Sequence, residues 1–319
     1  MTMLSGRALA PRMTDLCWPA LGSSAMVRAS VEHVSAACRE AARVIAEIDA
    51  LASRFRSDSE LMVVNRSAGR WTPVSAEFAE LVSLALWAAE VSDGAVDPTL
   101  GEPLQWLGYD RDFSELQAVS PSSPFELCPA APDDQRGQPW RRIRLLAHPP
   151  AIFLPQDVSL DLGAVGKGRA ADLAARAAYA RTGAPVLVSL GGDVAVAGDP
   201  SETGWSIGIA ADHRMSPADC AEAVSIHSGG LATSSLLARR WWQGDRAVHH
   251  VLDPRDGLPV APHWVMATVA AETCAEANIA ATASLVLGSA APAWLQGQQL
   301  PGRLVARDGS VVRIGAWPA

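Results

Sequence analysis

The 319-residue sequence predicts an α+β fold of layered antiparallel sheets with packed helices, and three observations predict it. Long helix-period stripes occur at both ends and in the middle of the chain. Short alternating runs are grouped between them, without regular βαβ winding. Apolar residues make up 49% and charged residues 19%, which supplies a core and excludes a disordered chain. Residues 1–20 read as a flexible lead-in, and residues 21–319 as one domain.

The elements follow in order. Val31, Val34, Cys38, Ala41, Val44, Ile45, Ile48 and Leu51 recur at threes and fours, so one helix face is apolar. A second helix spans Ser75 to Val91, buries Phe78, Leu81, Val82, Ala85, Leu86 and Ala89, and has Ser75 as its N-cap. SDGAVDPTLG, 92–101, breaks it as a loop. A Pro/Ser-rich variable loop covers about 118–140. RIRLLAHPPAIFLP reads as strand, turn, strand, and VSLDLG as a strand running into a glycine turn. AVGKGRAADLAARAAYAR is an Ala-rich helix. APVLVSLGG and DVAVAG are two strands joined at Gly191-Gly192. WSIGIA is a strand, AEAVSIHSGGLATSS one strand ending in a glycine turn, and AVHHVLDPRDGLPV a strand and a Pro-Gly turn. VMATVAAE is a strand, and CAEANIAATASLVLG a helix closed by Gly288.

Charge and cysteine content narrow the function. Lys plus Arg is 26 and Asp plus Glu is 34, a net charge of −8 that argues against a nucleic-acid partner. No uncharged apolar run reaches the length of a transmembrane helix, and no signal peptide or lipid-attachment motif is read, so a cytoplasmic location is expected. The 5 cysteines include no CxxC pair, which fits reduced thiols.

Four motifs carry candidate chemistry. In DLGAVGKGRAAD, 161–172, three glycines and Lys167 open a helix, an arrangement suited to a phosphate. The spacing matches neither a P-loop nor a Rossmann fingerprint, and a glycine turn with a surface lysine is the plain alternative. In SDGAVDPTLG, Asp93 and Asp97 sit in a loop as binding groups or as turn formers. In HHVLDPRDG, His250 is a candidate base beside Asp253, or a structural strand histidine. Asn278 and Thr282 share one helix face, as oxygen ligands for a hard cation or as packing bonds.

In this order, the motifs resemble those of the ApbE-type flavin transferases over about residues 20–315. SRFRSDSELMVVN, SDGAVDPTLG, VSLDLGAVGKGRAADLAA, VSLGGDVAVAG and HHVLDPRDGLPV carry the resemblance. It implies an ApbE-like (T-fold-like) fold and Mg²⁺-dependent transfer of FMN from FAD to a Ser or Thr hydroxyl, with release of AMP. The acceptor would be a flavoprotein with a Ser/Thr-Gly-Ala-Ser/Thr motif. The resemblance also implies that Leu21, Phe55, Ala95, Val96, Asp97, Asp161, Lys167 and Val251 contact FAD. Ala164 (through its carbonyl), Asn278 and Thr282 would ligate the metal, and His250 and Asp253 would be catalytic.

The chain departs from the family pattern at Asn278, where an aspartate ligand is usual, and at Thr233-Ser234-Ser235-Leu236, where Thr-Ser-Gly-Asp is usual. The lost carboxylate leaves two other functions open. One is an FAD-binding protein with little transferase activity, and the other is a Mg²⁺-dependent FAD pyrophosphatase that releases FMN and AMP.

Overall fold

The structure is a computed structural model that describes residues 12–116, 118, 137–201, 203–210, 220 and 222–317. Residues 1–11 of the expected lead-in and most of the Pro/Ser-rich loop therefore lie outside the described residues.

The chain begins with the hairpin β1 (Met13–Ala20) and β2 (Ser23–Ser30), followed by α1 (Val34–Ala52) and the short α2 (Glu60–Arg66). Next come β3 (Trp71–Pro73), α3 (Ala76–Val91), α4 (Gly101–Trp106), β4 (Arg144–Ala147), β5 (Pro150–Phe153) and α5 (Gly163–Thr182). Eight strands follow: β6 (Val186–Leu190), β7 (Asp193–Ala197), β8 (Trp205–Ile209), β9 (Glu222–Ile226), β10 (Gly230–Ser235), β11 (Arg240–Gln243), β12 (Arg246–His249) and β13 (Trp264–Ala271). The chain closes with α6 (Cys274–Leu287), α7 (Ala291–Gly297), β14 (Gly302–Ala306) and β15 (Val311–Ile314).

One 8-stranded sheet, ordered β1-β2-β6-β7-β10-β13-β14-β15, organises the molecule, and every neighbouring pair in it is antiparallel. The two-residue periodicity of its strands sorts side chains between two layers. Val186, Val188 and Leu190 of β6 face α1 and α5. Leu187, between them, faces the β8–β9 hairpin, joined by Val194, Leu231 and Met266. The central sheet is thus sandwiched between helices and a two-stranded ribbon.

The helical layer is close because its residues are small. α5 buries Ala170, Ala171, Ala174, Ala175 and Ala178. At Gly168 a Cβ atom would come within 2.8 Å of the Cα of Ala275, so α5 and the start of α6 meet at backbone distance. The carboxylate of Asp172, one turn on, accepts from Cys274 N at 2.8 Å and Ala275 N at 3.0 Å. Thr273 and Glu276 complete a capping box. These contacts fix the position and axial rotation of α6. The stretch Cys274–Gly297 is apolar and long enough to cross a membrane by composition, but half of that window is buried inside the protein, as expected of a core helix.

Three expectations are corrected. VSLDLG, expected as a strand running into a glycine turn, forms no strand before α5. Residues 13–20, expected as lead-in, form β1, which pairs along its whole length with β2. It is an edge strand with a mostly exposed surface, tied by an Arg28–Asp15 ion pair at 2.6 Å, and it shows no hydrophobic alternation to read. AEAVSIHSGGLATSS, expected as one strand, forms two, β9 and β10, separated by a turn at 227–229. α2, β14 and β15 were not read from the pattern.

His249, His250 and Glu222 set an acid limit on stability. Burial pushes the His249 imidazole down to about 4, against a hydrogen bond to the Val260 carbonyl at 3.2 Å. The unfolded imidazole takes a proton near 6.5, so stability is full above that pH and falls as pH drops from 6.5 towards 4. His250, also depressed, adds to the loss of stability as pH falls below 6.5. Glu222 joins β9 to Arg313, Trp317 and Arg303, and the Arg313 hydrogen bond leads in holding its carboxyl down at about 2. Its contribution is lost as pH falls from 4.5 to about 2. Urea midpoints measured against pH are expected to decline in these two stages. His249→Gln is expected to shallow the first; an unchanged slope would contradict the assignment.

Candidate active site

The sequence motifs meet through backbone hydrogen bonds. Asp161 N donates to Pro98 O at 2.8 Å, and Gly101 N donates to Ser159 O at 3.1 Å. A Cβ at Gly101 would lie 2.8 Å from the Leu160 carbonyl, so only glycine lets the 92–101 loop reach this segment. From the other side, the amide of Asn65 on α2 clamps Leu160: Leu160 N donates to Oδ1 at 2.8 Å and Nδ2 donates to the carbonyl at 3.0 Å.

Around Asp161 lies a stack of rings and guanidinium groups. Asp161 Oδ1 accepts from Gly163 N at 2.9 Å at the start of α5, and Oδ2 pairs with Arg54 Nε at 2.8 Å. The Arg54 guanidinium lies 4.6 Å from the ring centres of both Phe55 and Tyr109, and it donates to the Tyr109 carbonyl. Arg239 donates to Tyr109 Oη and to Gly22 O, each at 3.1 Å. Leu21 and Gly22 both have positive φ, 52° and 60°, in the β1–β2 turn. The Phe55 ring remains partly open to solvent, with charge and hydrogen-bonding groups behind it.

A buried polar cluster lies where α5, β7 and α6 meet. Lys167 Nζ is 3.1 Å from Asp193 Oδ2, and Asn278 Nδ2 donates to Asp193 Oδ1 at 2.9 Å. Asn278 Oδ1 is sealed from solvent and has no hydrogen-bond partner. One turn along α6, the Thr282 hydroxyl is 2.9 Å from that of Ser234 on β10. Ala164 lies in the first turn of α5, and its carbonyl has a second lone pair beyond any intrahelical bond. His250 follows β12. Burial first, then the charges of Arg239, His249 and Lys167, push its imidazole well below the ordinary value. Its Nδ1 has no hydrogen-bond partner. The site therefore has a partly exposed aromatic ring, an ammonium, a buried oxygen lacking a partner and a neutral imidazole.

The sequence matches the ApbE family over residues 21–304. The chain belongs to the ApbE family. It is 32% identical to the FAD:protein FMN transferase of Salmonella typhimurium over 251 residues, covering 76% of this chain and 68% of that one. It is 31% identical to the FAD:protein FMN transferase of Klebsiella pneumoniae over 275 residues, covering 82% and 75%. In fold it is similar to the ApbE protein of Thermotoga maritima, with a TM-score of 0.81, 24% identity and coverage of 95% and 97%. The apo flavinyl transferase ApbE of Pseudomonas stutzeri gives a TM-score of 0.74 at 24% identity, covering 96% of each chain.

Within this ApbE fold, the expected site residues divide. Phe55 and Asp161 meet the Arg54–Tyr109 stack, and Leu21, packed against the α1–α5 core, precedes Gly22, whose carbonyl accepts from Arg239. Lys167 and Asn278 meet at Asp193, while Ala164 opens α5 and Thr282 lies one turn along α6 against Ser234. Ala95, Val96 and Val251 are buried in hydrophobic clusters, so their side chains are packing groups, and Ala95 N, Val96 N and Val251 O already hydrogen-bond to Ser92 O, Ser92 Oγ and Val260 N. Asp97 Oδ1 accepts from Thr99 N at 2.8 Å and Thr99 Oγ1 at 2.7 Å, which organises the loop. Asp253, expected as catalytic, lies in the turn after β12 and is engaged there by Arg255. It accepts from Arg255 N at 3.0 Å and pairs through both oxygens with the Arg255 guanidinium.

Sequence reasoning missed Arg54, Tyr109, Asp193 and Arg239. Asp193 stood in the quoted Gly-Gly-Asp hairpin, a signal left unused. Arg54, Tyr109 and Arg239 are far apart in sequence, and no spacing rule joins them.

Proposed function

We propose that this ApbE-family chain transfers FMN from FAD to a Ser or Thr hydroxyl of an acceptor flavoprotein, with Mg²⁺, forming a phosphoester and releasing AMP. The carrying observation is the adjacency of Lys167, Asp193 and Asn278, with the buried Asn278 Oδ1 lacking a partner. Such an oxygen costs free energy unless something occupies it, and a hard cation would. The donors fit that cation: the Asn278 amide oxygen, the Thr282 hydroxyl and the Ala164 carbonyl are all oxygen ligands, with a carboxylate in contact behind them. Bound there, Mg²⁺ would neutralise charge on the FAD diphosphate.

The chain's own residues supply the rest. Phe55 offers an exposed ring for the isoalloxazine to stack on, and the Asp161–Arg54–Tyr109 assembly stiffens it. Lys167, on its flexible stem at the cluster's edge, is positioned to meet the diphosphate. His250, held neutral, takes the proton from the acceptor hydroxyl as oxygen attacks phosphorus.

The test incubates the protein with FAD, Mg²⁺ and a protein bearing the Ser/Thr-Gly-Ala-Ser/Thr motif, and reads intact mass and free nucleotides. FMN on the acceptor with AMP in solution is expected. FMN and AMP both free would replace the reading with a pyrophosphatase, and intact bound FAD with a binding protein. Lys167→Ala is expected to weaken FAD binding roughly 10- to 100-fold, the scale of a lost charge-assisted contact. Equal affinities in a fluorescence titration would refute that role.

A further inference from the structure

We propose that Asp193 supplies the negative charge for the divalent cation in this chain, and that Lys167 holds that carboxylate until the cation takes its place. The inference rests on the cation requirement of the proposed function and concerns which residues meet it.

The argument starts from the Asn278 amide, whose donor and acceptor sit on opposite arms of one planar group. Nδ2 donates to Asp193 Oδ1 at 2.9 Å, so Oδ1 is turned away from the carboxylate. The reverse orientation would press two oxygens together at that distance. Asp193 therefore aims the amide oxygen as a neutral ligand.

The carboxylate itself is fully buried at the first position of β7, behind a turn in which Gly191 and Gly192 have φ of 60° and 101°. A buried carboxylate needs a positive partner. Lys167 is that partner at 3.1 Å, yet Asp193 Oδ2 has no hydrogen bond of good geometry. The contact is one of charge and not of aligned donation. The lysine side chain is 23% exposed, whereas that of Asp193 is 0% exposed. The lysine is the member free to move, and a four-carbon stem lets its ammonium swing at small cost. A divalent cation entering beside Asn278 Oδ1 would compensate Asp193 in its place and free the ammonium for the diphosphate. The charge lost at position 278 thus persists one hydrogen bond away, at position 193. Cation loading and lysine release become one event.

The test measures Mn²⁺ binding by electron paramagnetic resonance on the full chain, without FAD or acceptor. Wild-type protein is expected to show one site. Asp193→Asn is expected to weaken it at least about tenfold, because a hard cation depends on carboxylate charge. Lys167→Met is expected to tighten it several-fold, because its competitor is gone; as a mere structural partner, Lys167 would not produce that sign. The exchanged pair D193N/N278D is expected to return affinity towards wild type. Absence of a wild-type site, unchanged affinity in Asp193→Asn, or equal or weaker binding in Lys167→Met would each overturn the proposal. If Asp193→Asn does not fold, Lys167→Met decides alone. Failure of flavin transfer with these Mn²⁺ results intact would sink the transferase reading and leave this one standing.

Discussion

His250→Gln lowers the rate of flavin transfer by about 10²- to 10⁴-fold, the usual span for a lost general base, while FAD binding is retained. The expectation rests on three properties of this histidine. It is half-buried, and desolvation together with the nearby charges of Arg239, His249 and Lys167 opposes its protonation. Its Nδ1 carries no hydrogen bond, so one ring nitrogen is not consumed by the fold. An imidazole kept neutral well below its ordinary 6.5 remains a competent base into acid, which moves the acid limb of kcat/KM below that value. Single-turnover FMN transfer and an FAD titration on the same samples separate the base from a binding group. A variant that transfers at the wild-type rate, or one that loses FAD affinity in step with rate, contradicts the assignment.

Asp172→Ala is expected to destabilise the chain by about 3 kcal/mol, because two buried N–H groups at the start of α6 lose a charged acceptor together. The aspartate belongs to the Lys-Gly-x-x-x-Asp motif beside Lys167, and the structure gives it the work of a helix cap. Burial pushes its carboxyl up, partly offset by the Cys274 and Ala275 amides, so the cap is made at a desolvation cost. Urea unfolding followed by circular dichroism measures the loss. A loss below about 0.5 kcal/mol, the size of an ordinary surface change, would contradict the cap.

The fold was legible wherever one residue period ran long enough. The stripe on α1 and the Ala-rich face of α5 repeat at helical spacing, and the strands meeting at Gly191-Gly192 stand out as apolar runs split by a glycine pair. β1 was not legible, because an edge strand with solvent on most of its residues carries no alternation. The site divided along similar lines. Lys167, Asn278 and Thr282 were singled out because chemistry and helical spacing coincide in them, and the structure sets Lys167 and Asn278 on either side of Asp193. Arg54 and Arg239 were not, because they meet Tyr109 only through tertiary contacts. Asn65 and Asp172 stand in motif positions but serve the scaffold, since a motif records what a site needs without separating contact from support.

The backbone contact at Gly168 has a consequence for how such a protein diversifies. Lys167 adjoins that crossing, and Asn278 lies one helical turn beyond Cys274 and Ala275, which form its other side. The spacing between ammonium and amide is therefore an attribute of two interlocked rods, with no hinge between them. Insertions, deletions and exchanges in segments remote from the crossing do not alter that spacing. A single added methyl group at the crossing would do the reverse, forcing the two helices apart and with them the ammonium and the amide.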